Sequence, residues 1–165
     1  MKKLAVSALA LSLLTACATV PPPPPAPPET IAGSDFLTRN GAAKRVVTTA
    51  SGLQYYVVTA GPATGAHPAA TDVVSFDYEG KLTTGEKFDS SFDRGQPLVG
   101  PANGFVPGFT EALMLMRPGD EWIVWIPSAL GYGARDSEEI PANSILRFRL
   151  ALHSVTPVPT PPPGV

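Results

Sequence analysis

Two stretches of the chain alternate strictly between apolar and polar positions. Val74, Phe76 and Tyr78 alternate with Ser75, Asp77 and Glu79, and Leu146, Phe148, Leu150 and Leu152 alternate with Arg147, Arg149, Ala151 and His153. A period of two is that of a strand with one buried face. Leu53-Gln54-Tyr55-Tyr56-Val57-Val58 is a further β-prone run following Gly52, and Lys81 to Asp89 reads as a hairpin turning at Thr84-Gly85. Only one internal stretch has helical spacing: Phe109, Ala112, Leu113 and Met116 fall at i, i+3, i+4 and i+7, between Pro107-Gly108 and Pro118-Gly119. Ser34 to Gly41 reads as a second, short helix, with Ser34 or Asp35 as its cap and Gly41 at its end. Several strands with one amphipathic helix predict an α+β fold, an antiparallel sheet wrapped around that helix.

Composition divides the chain. Of its 20 prolines, those from Pro21 to Pro28 and from Pro157 to Pro163 crowd the two ends, and the rest are spread from Pro62 to Pro141. That skew brackets one globular domain over residues 48–156, long enough to bury a core without disulfides. Residues 17–47 then form a proline-rich tether, extended at roughly 3 Å per residue over its proline run, with the short helix, and residues 157–165 a disordered proline-rich tail. The run Pro21–Pro28 also fits a ligand of SH3 type. With 12 basic and 14 acidic residues and no basic run, nucleic acid is an unsuitable partner. His67 and His153 are isolated, so the sequence predicts no metal site.

The first residues read as an export signal over 1–16: Lys2 and Lys3, then an apolar run from Leu4 to Leu14 too short to span a bilayer. It ends in Leu14-Thr15-Ala16-Cys17, which resembles the lipobox of bacterial lipoproteins, and Cys17 is the only cysteine. The resemblance implies acylation of Cys17 and membrane anchoring through it. Ala18 where an aspartate would direct retention implies the outer membrane, with the protein facing the periplasm. The plainer alternative is an ordinary signal peptide beside an incidental cysteine.

Three ordered blocks carry a more specific resemblance. They are Tyr78-Glu79-Gly80 running through Gly85-Glu86-Lys87-Phe88-Asp89-Ser90-Ser91; Phe105-Val106-Pro107-Gly108-Phe109 with Leu113, Met116 and Gly119-Asp120; and Ile126-Pro127, Leu130-Gly131-Tyr132-Gly133, Ile140-Pro141-Ala142-Asn143 and Leu146-Arg147-Phe148. Over residues 48–156 the chain resembles the FK506-binding-protein (FKBP) family of peptidyl-prolyl cis-trans isomerases, and Thr48 to Tyr55 is similar to the entry strand of secreted bacterial members. The resemblance implies catalysis of X-Pro bond rotation in exported, unfolded or proline-containing proteins, without a cofactor, and a site that FK506-like macrolides could enter. It implies catalytic roles for Asp89, Tyr132 and Phe88, and substrate-binding roles for Tyr78, Leu98, Phe105, Val106, Phe109, Ile140 and Phe148. The Tyr132 hydroxyl and the Val106 N–H would donate to substrate carbonyls.

The chemistry suits these residue types. Rotation about the bond before proline crosses a barrier of about 18–20 kcal/mol and breaks no bond, so it needs neither nucleophile nor metal. The twisted amide has lost resonance and part of its charge separation, and a dry aromatic pocket favours it over the planar form. Outside the motif, Phe88, Phe109 and Phe148 would read as plain core, Asp89-Ser90-Ser91 as a capped turn, and Tyr132 as a surface residue. Phe109 stands where the family usually has tryptophan, Leu98 where an aromatic usually follows proline, and Arg135 to Glu139 is acidic, a solvated charge run in its simplest reading. Smaller walls imply weaker binding with the chemistry retained. Two other functions fit the same sequence: a holdase gripping proline-containing chains with little turnover, and a structural envelope lipoprotein carrying an inert domain.

The resemblance also orients one strand. Ile126 points to the helix-covered core, which puts Trp122 and Val124 on that face and Ile123 with Trp125 on the other. The expectation is a buried Trp122 and a comparatively exposed Trp125, with Arg147 or Arg149 stacked over it if either lies on the adjoining strand.

Overall fold

The structure, a computed structural model, describes residues Gly33–Pro159. The export signal, Cys17, the proline run to Pro28 and the tail from Thr160 lie outside the described residues.

The alternating stretches form the two central strands. β3 (Val73–Leu82) buries every second residue from Val74 to Leu82, and β7 (Leu146–Thr156) buries Leu146, Phe148, Leu150 and Leu152. They pair antiparallel along their length, with one break in register: Ser75 faces Ser154 but Phe76 faces Leu152, so His153 is the extra residue of a bulge. On the other side of β7 lie β6 (Glu121–Ile126), then β2 (Gln54–Thr59), then the short β1 (Val47–Thr48). The outer edge of β3 is shared. β5 (Leu98–Pro101) pairs with it at Val73 to Phe76, and β4 (Lys87–Ser90) at Glu79 to Lys81. All seven strands are antiparallel, as the sequence predicts.

The central helix is α3 (Pro107–Leu115). Pro107 starts it with a φ preset for the first helical turn, and Val106 before it is extended (φ −58°, ψ 150°), the conformation a following proline favours. Phe109, Ala112, Leu113 and the capping Met116 are all buried, joining Val74, Phe76, Trp122, Val124, Ile126, Leu150 and Leu152 in the main core. Gly108 lets the first turn approach β6. A Cβ there would lie 2.5 Å from Ile126 Cγ2.

The other face of the sheet is covered too. α1 (Gly33–Gly41) and the residues after it lie over this face, and Phe36, Tyr56, Ile123, Trp125 and Ile145 form a second buried cluster with Leu37, Val46 and Val58 at its edge. Asn40 Nδ2 donates to Gln54 Oε1 at 2.8 Å, and Gln54 Nε2 to the Leu37 carbonyl at 2.8 Å, fixing α1 to β2. This corrects the expectation for the tryptophans. Trp122 and Trp125 do face opposite sides, but Trp125 is 3 % exposed and Trp122 5 %. Arg147 sits opposite Trp125 in register, yet neither arginine stacks on that indole among the described residues; the Arg149 guanidinium lies over Phe92, 4.9 Å from its ring centre. A short helix the sequence places in the tether is thus part of the core. At the other end, the Val158 N–H donates to Asp72 Oδ1 at 3.0 Å, so the tail leaves from the β3 start.

Candidate active site

β3 and β4 meet at a glycine. Gly80 pairs with Asp89 on one side and Phe148 on the other, and a Cβ there would lie 2.6 Å from Phe88 Cζ and 2.8 Å from Phe148 Cε1. Its missing side chain lets the two phenyl rings meet over the strand, edge to face, with centres 5.6 Å apart. Phe109 comes from α3 and stands at 89° to Phe148 with centres 5.0 Å apart, and at 89° to Tyr78 at 6.1 Å. Phe105, in the loop before α3, packs on Phe109 at 5.0 Å.

These rings enclose a cavity of about 330 Å³, large enough for a proline ring and its neighbours. Tyr78, Phe88, Asp89, Leu98, Phe105, Val106, Phe109, Tyr132 and Phe148 line it. So of the ten pocket residues read from the sequence, all but Ile140 meet around one space. Ile140 is half-buried and packs against the main core, but is not among the lining residues. Gly104 lines the cavity unforeseen; a small loop residue carries no signal of its own.

Asp89 supplies the charged group in the wall. Its Oδ2 accepts the Tyr78 hydroxyl proton, and its Oδ1 accepts from Arg94 Nη1 and, at 2.8 Å, from the Ser90 N–H. Arg94 Nη2 reaches back to the Tyr78 oxygen at 2.8 Å, closing a triangle, and its guanidinium lies 5.4 Å from the Tyr78 ring centre. Burial alone would raise the Asp89 pKa, but the hydrogen bonds from Tyr78 and Arg94 and the Arg94 charge outweigh it, leaving the carboxyl below the usual aspartate range. Burial and the neighbouring carboxylate push the Tyr78 phenol up. The wall therefore holds a carboxylate and a neutral phenol at neutral pH. Arg94 was not singled out from the sequence, because a lone arginine beyond a turn looks like any exposed cation.

Arg94 reaches Asp89 because the chain turns tightly after β4. Ser90 caps α2 (Ser91–Arg94), its hydroxyl accepting the Asp93 N–H at 3.3 Å, and Gly95 ends it at φ 67°. Asp89-Ser90-Ser91 thus forms a capped turn, and its first residue also lines the cavity. Tyr132 follows a 3₁₀ turn (Ser128–Leu130), where Gly133 at φ 60° donates its N–H to Ser128 O at 2.8 Å. It is 40 % exposed at the cavity mouth. Neither the Tyr132 hydroxyl nor the Val106 N–H has a hydrogen-bond partner among the described residues, so both remain available to a ligand. The segment after it is exposed. Asp136 Oδ1 accepts the Ala142 N–H at 3.1 Å, while Glu138 and Glu139 face solvent.

No helix among the described residues is long and apolar enough to cross a membrane, and no group of three or more His, Cys, Asp or Glu side chains there could hold a metal.

Comparison with known proteins points one way. A family model described as FKBP-type peptidyl-prolyl cis-trans isomerase matches residues 65–153. A relative from Aeromonas hydrophila named FKBP-type peptidyl-prolyl cis-trans isomerase FkpA is 45 % identical over 123 residues, 74 % of this chain and 45 % of its own. The protein named outer membrane protein MIP from Legionella longbeachae is 40 % identical over 124 residues, 74 % of this chain and 52 % of its own. The chain thus spans about half the length of these curated relatives. A crystal structure of FkpA from Escherichia coli superposes with a TM-score of 0.72 at 38 % identity, covering 77 % of this chain and 59 % of that one.

Proposed function

The chain belongs to the family of FKBP-type peptidyl-prolyl cis-trans isomerases, and from that premise we propose that it accelerates rotation about X-Pro bonds in exported, incompletely folded proteins. The observation that carries the reading is the cavity itself, apolar on most sides and edged by hydrogen-bond donors without partners. The proline ring enters among Phe88, Phe109 and Phe148. The Val106 N–H and the Tyr132 hydroxyl donate to carbonyls on either side of the rotating bond and hold the peptide while one half turns. As the amide twists, it loses resonance and part of its dipole, and the dry aromatic wall favours that state over the planar one. Asp89, fixed by Tyr78 and Arg94, presents its field at the pocket edge without exchanging a proton. Asp89, Tyr132 and Phe88 are the catalytic set in this reading, and Tyr78, Leu98, Phe105, Val106, Phe109 and Phe148 bind substrate; FK506-like macrolides would compete for the same space.

The location is part of the proposal. The signal and lipobox-like Cys17, together with a relative whose name places it in the outer membrane, support an acylated, envelope-anchored protein facing the periplasm. Refolding of a protein limited by a slow prolyl step tests the function. Acceleration by a small fraction of an equivalent supports the isomerase, while suppression of refolding by a full equivalent identifies a holdase instead.

A further inference from the structure

The outer edge of β3 has a gap. β5 pairs with it as far as Phe76 and β4 begins at Glu79, which leaves Asp77 and Tyr78 without a strand partner on that side. A buried backbone N–H left unpaired would cost roughly 1–3 kcal/mol. Ser91 fills the gap: it is 0 % exposed and its Oγ accepts the Tyr78 N–H at 2.9 Å. A hydroxyl has one proton to give, and Ser91 gives it to Asp77 Oδ1 at 2.7 Å. The other Asp77 oxygen, Oδ2, meets His153 Nε2 at 2.7 Å. Facing an ionised carboxylate, that ring nitrogen is the donor. His153 is the extra residue of the β7 bulge, two positions beyond Ala151, the residue that faces Asp77 across the β3–β7 pair.

Ser91 is also the first residue of α2, three positions before Arg94. Tyr78 is therefore held at both ends, by Ser91 at its backbone N–H and by Arg94 and Asp89 at its hydroxyl, and Ser91 anchors the helix that delivers Arg94. We propose that Asp77 and His153 are positioning residues for the isomerase site, which fix the Tyr78–Asp89–Arg94 wall through Ser91. Neither lines the cavity, and the His153 side chain is 45 % exposed, so neither touches substrate. The Asp77 carboxylate gives Ser91's proton a fixed acceptor, which leaves its lone pair directed at the Tyr78 N–H. His153 in turn fixes the carboxylate. Among the described residues, the titratable partner that Asp77 engages is His153, and its other hydrogen-bond partner is the neutral Ser91 hydroxyl. The inference rests on the isomerase reading above.

The test uses the full chain with His153→Leu, His153→Gln and Asp77→Ala. Glutamine keeps a donor for Asp77 and leucine does not. Alanine at position 77 removes both acceptors, so the Ser91 and His153 contacts are both lost. The readouts are the Tyr78 amide resonance, thermal stability, and kcat and KM separately on a proline peptide. Asp77→Ala and His153→Leu are expected to move the Tyr78 amide and lower kcat about three- to tenfold with KM within about twofold, because small misplacements of a wall cost rate before binding. His153→Gln is expected to stay within about twofold of the unmodified chain. An unmoved Tyr78 amide in Asp77→Ala, or equal losses in His153→Gln and His153→Leu, would overturn the proposal, as would a loss confined to KM. If the unmodified chain lacks isomerase activity while the Tyr78 amide moves as described, the hydrogen-bonded relay stands and the isomerase reading falls.

Discussion

Gly80→Ala places one methyl group where the pocket wall closes. The added carbon would stand 2.6 Å from Phe88 Cε2 and Cζ and 2.8 Å from Phe148 Cε1, against an optimum of about 3.5–4.0 Å for carbon pairs, so the rings must retreat by roughly 1 Å. Phe148 is 5 % exposed and wedged between Phe109 and Tyr78, whereas Phe88 is half-buried on an edge strand, so Phe88 gives way first. Overpacking of this kind costs about 1–3 kcal/mol, while replacing glycine within a strand returns about 0.5–1 kcal/mol of backbone entropy. The net loss is about 1–2 kcal/mol of stability, small enough to keep the fold. The larger effect falls on the site, since Phe88 and Phe148 adjoin in the cavity wall: kcat/KM on a proline peptide should fall about tenfold or more, roughly 1.4 kcal/mol per tenfold. Gly85→Ala is the control. Gly85 has φ 94° and no atom within 4 Å of its Cβ position, so alanine there strains the backbone at the hairpin tip, away from the cavity. Comparable destabilisation with unchanged kcat/KM is expected for Gly85→Ala. Wild-type kcat/KM and unmoved Phe88 and Phe148 ring resonances in Gly80→Ala would refute the reasoning.

Asp89→Ala and Phe88→Ala should each lower kcat/KM tenfold or more with the fold retained; full turnover in both folded variants would remove these residues from the site. Asp77 and Asp89 both titrate below the usual aspartate range, Asp77 because hydrogen bonds from Ser91 and His153 and the His153 charge outweigh its burial. Their folded pKa values lie under the unfolded value of about 3.9, so their contribution to stability is present above that pH and is lost as pH falls through the folded values. Melting temperature followed downward from pH 5 should therefore drop less steeply in Asp77→Asn and Asp89→Asn than in the unmodified chain, and identical slopes would contradict the assignment. Phe36→Ala should uncover Trp125 but not Trp122, raising acrylamide quenching only in a variant whose sole tryptophan is Trp125, with a stability loss of about 3 kcal/mol or more. Glu138 and Glu139 at the exposed loop before Ile140 should favour Lys-flanked over Glu-flanked proline peptides by a few tenths to about 1 kcal/mol, an advantage that high salt erases; equal kcat/KM at low salt would leave the loop a solubilising surface.

The alternation at Val74 to Tyr78 and at Leu146 to Leu152 made the central strand pair legible, because a half-buried strand writes its geometry into every second residue. The spacing of Phe109, Ala112, Leu113 and Met116, bracketed by two Pro-Gly pairs, did the same for α3. The pocket walls were legible through their motifs rather than their chemistry, since Phe88 and Phe148 would otherwise pass for core. The burial of Trp125 was not legible. It depends on Phe36, far away in sequence, folding α1 back over a face that strand alternation alone leaves open. The Asp77–Ser91–His153 relay was hidden for a related reason. It forms where β4 and β5 leave a gap at Tyr78 and beside the β7 bulge at His153, and neither a gap nor a bulge has a periodic signature.

The central claim is rotation of a proline bond inside the cavity, and exchange NMR on a short X-Pro peptide reads it directly, with no protease present and only a catalytic amount of the chain. Unaided, the cis and trans resonances exchange over tens of seconds or longer at 25 °C. The account predicts exchange cross-peaks at sub-second mixing times with the unmodified chain, abolished or slowed at least tenfold in Asp89→Ala. A peptide that binds in the cavity, shifting the Phe88 and Tyr132 resonances, while its cis–trans exchange stays at the unaided rate would contradict it.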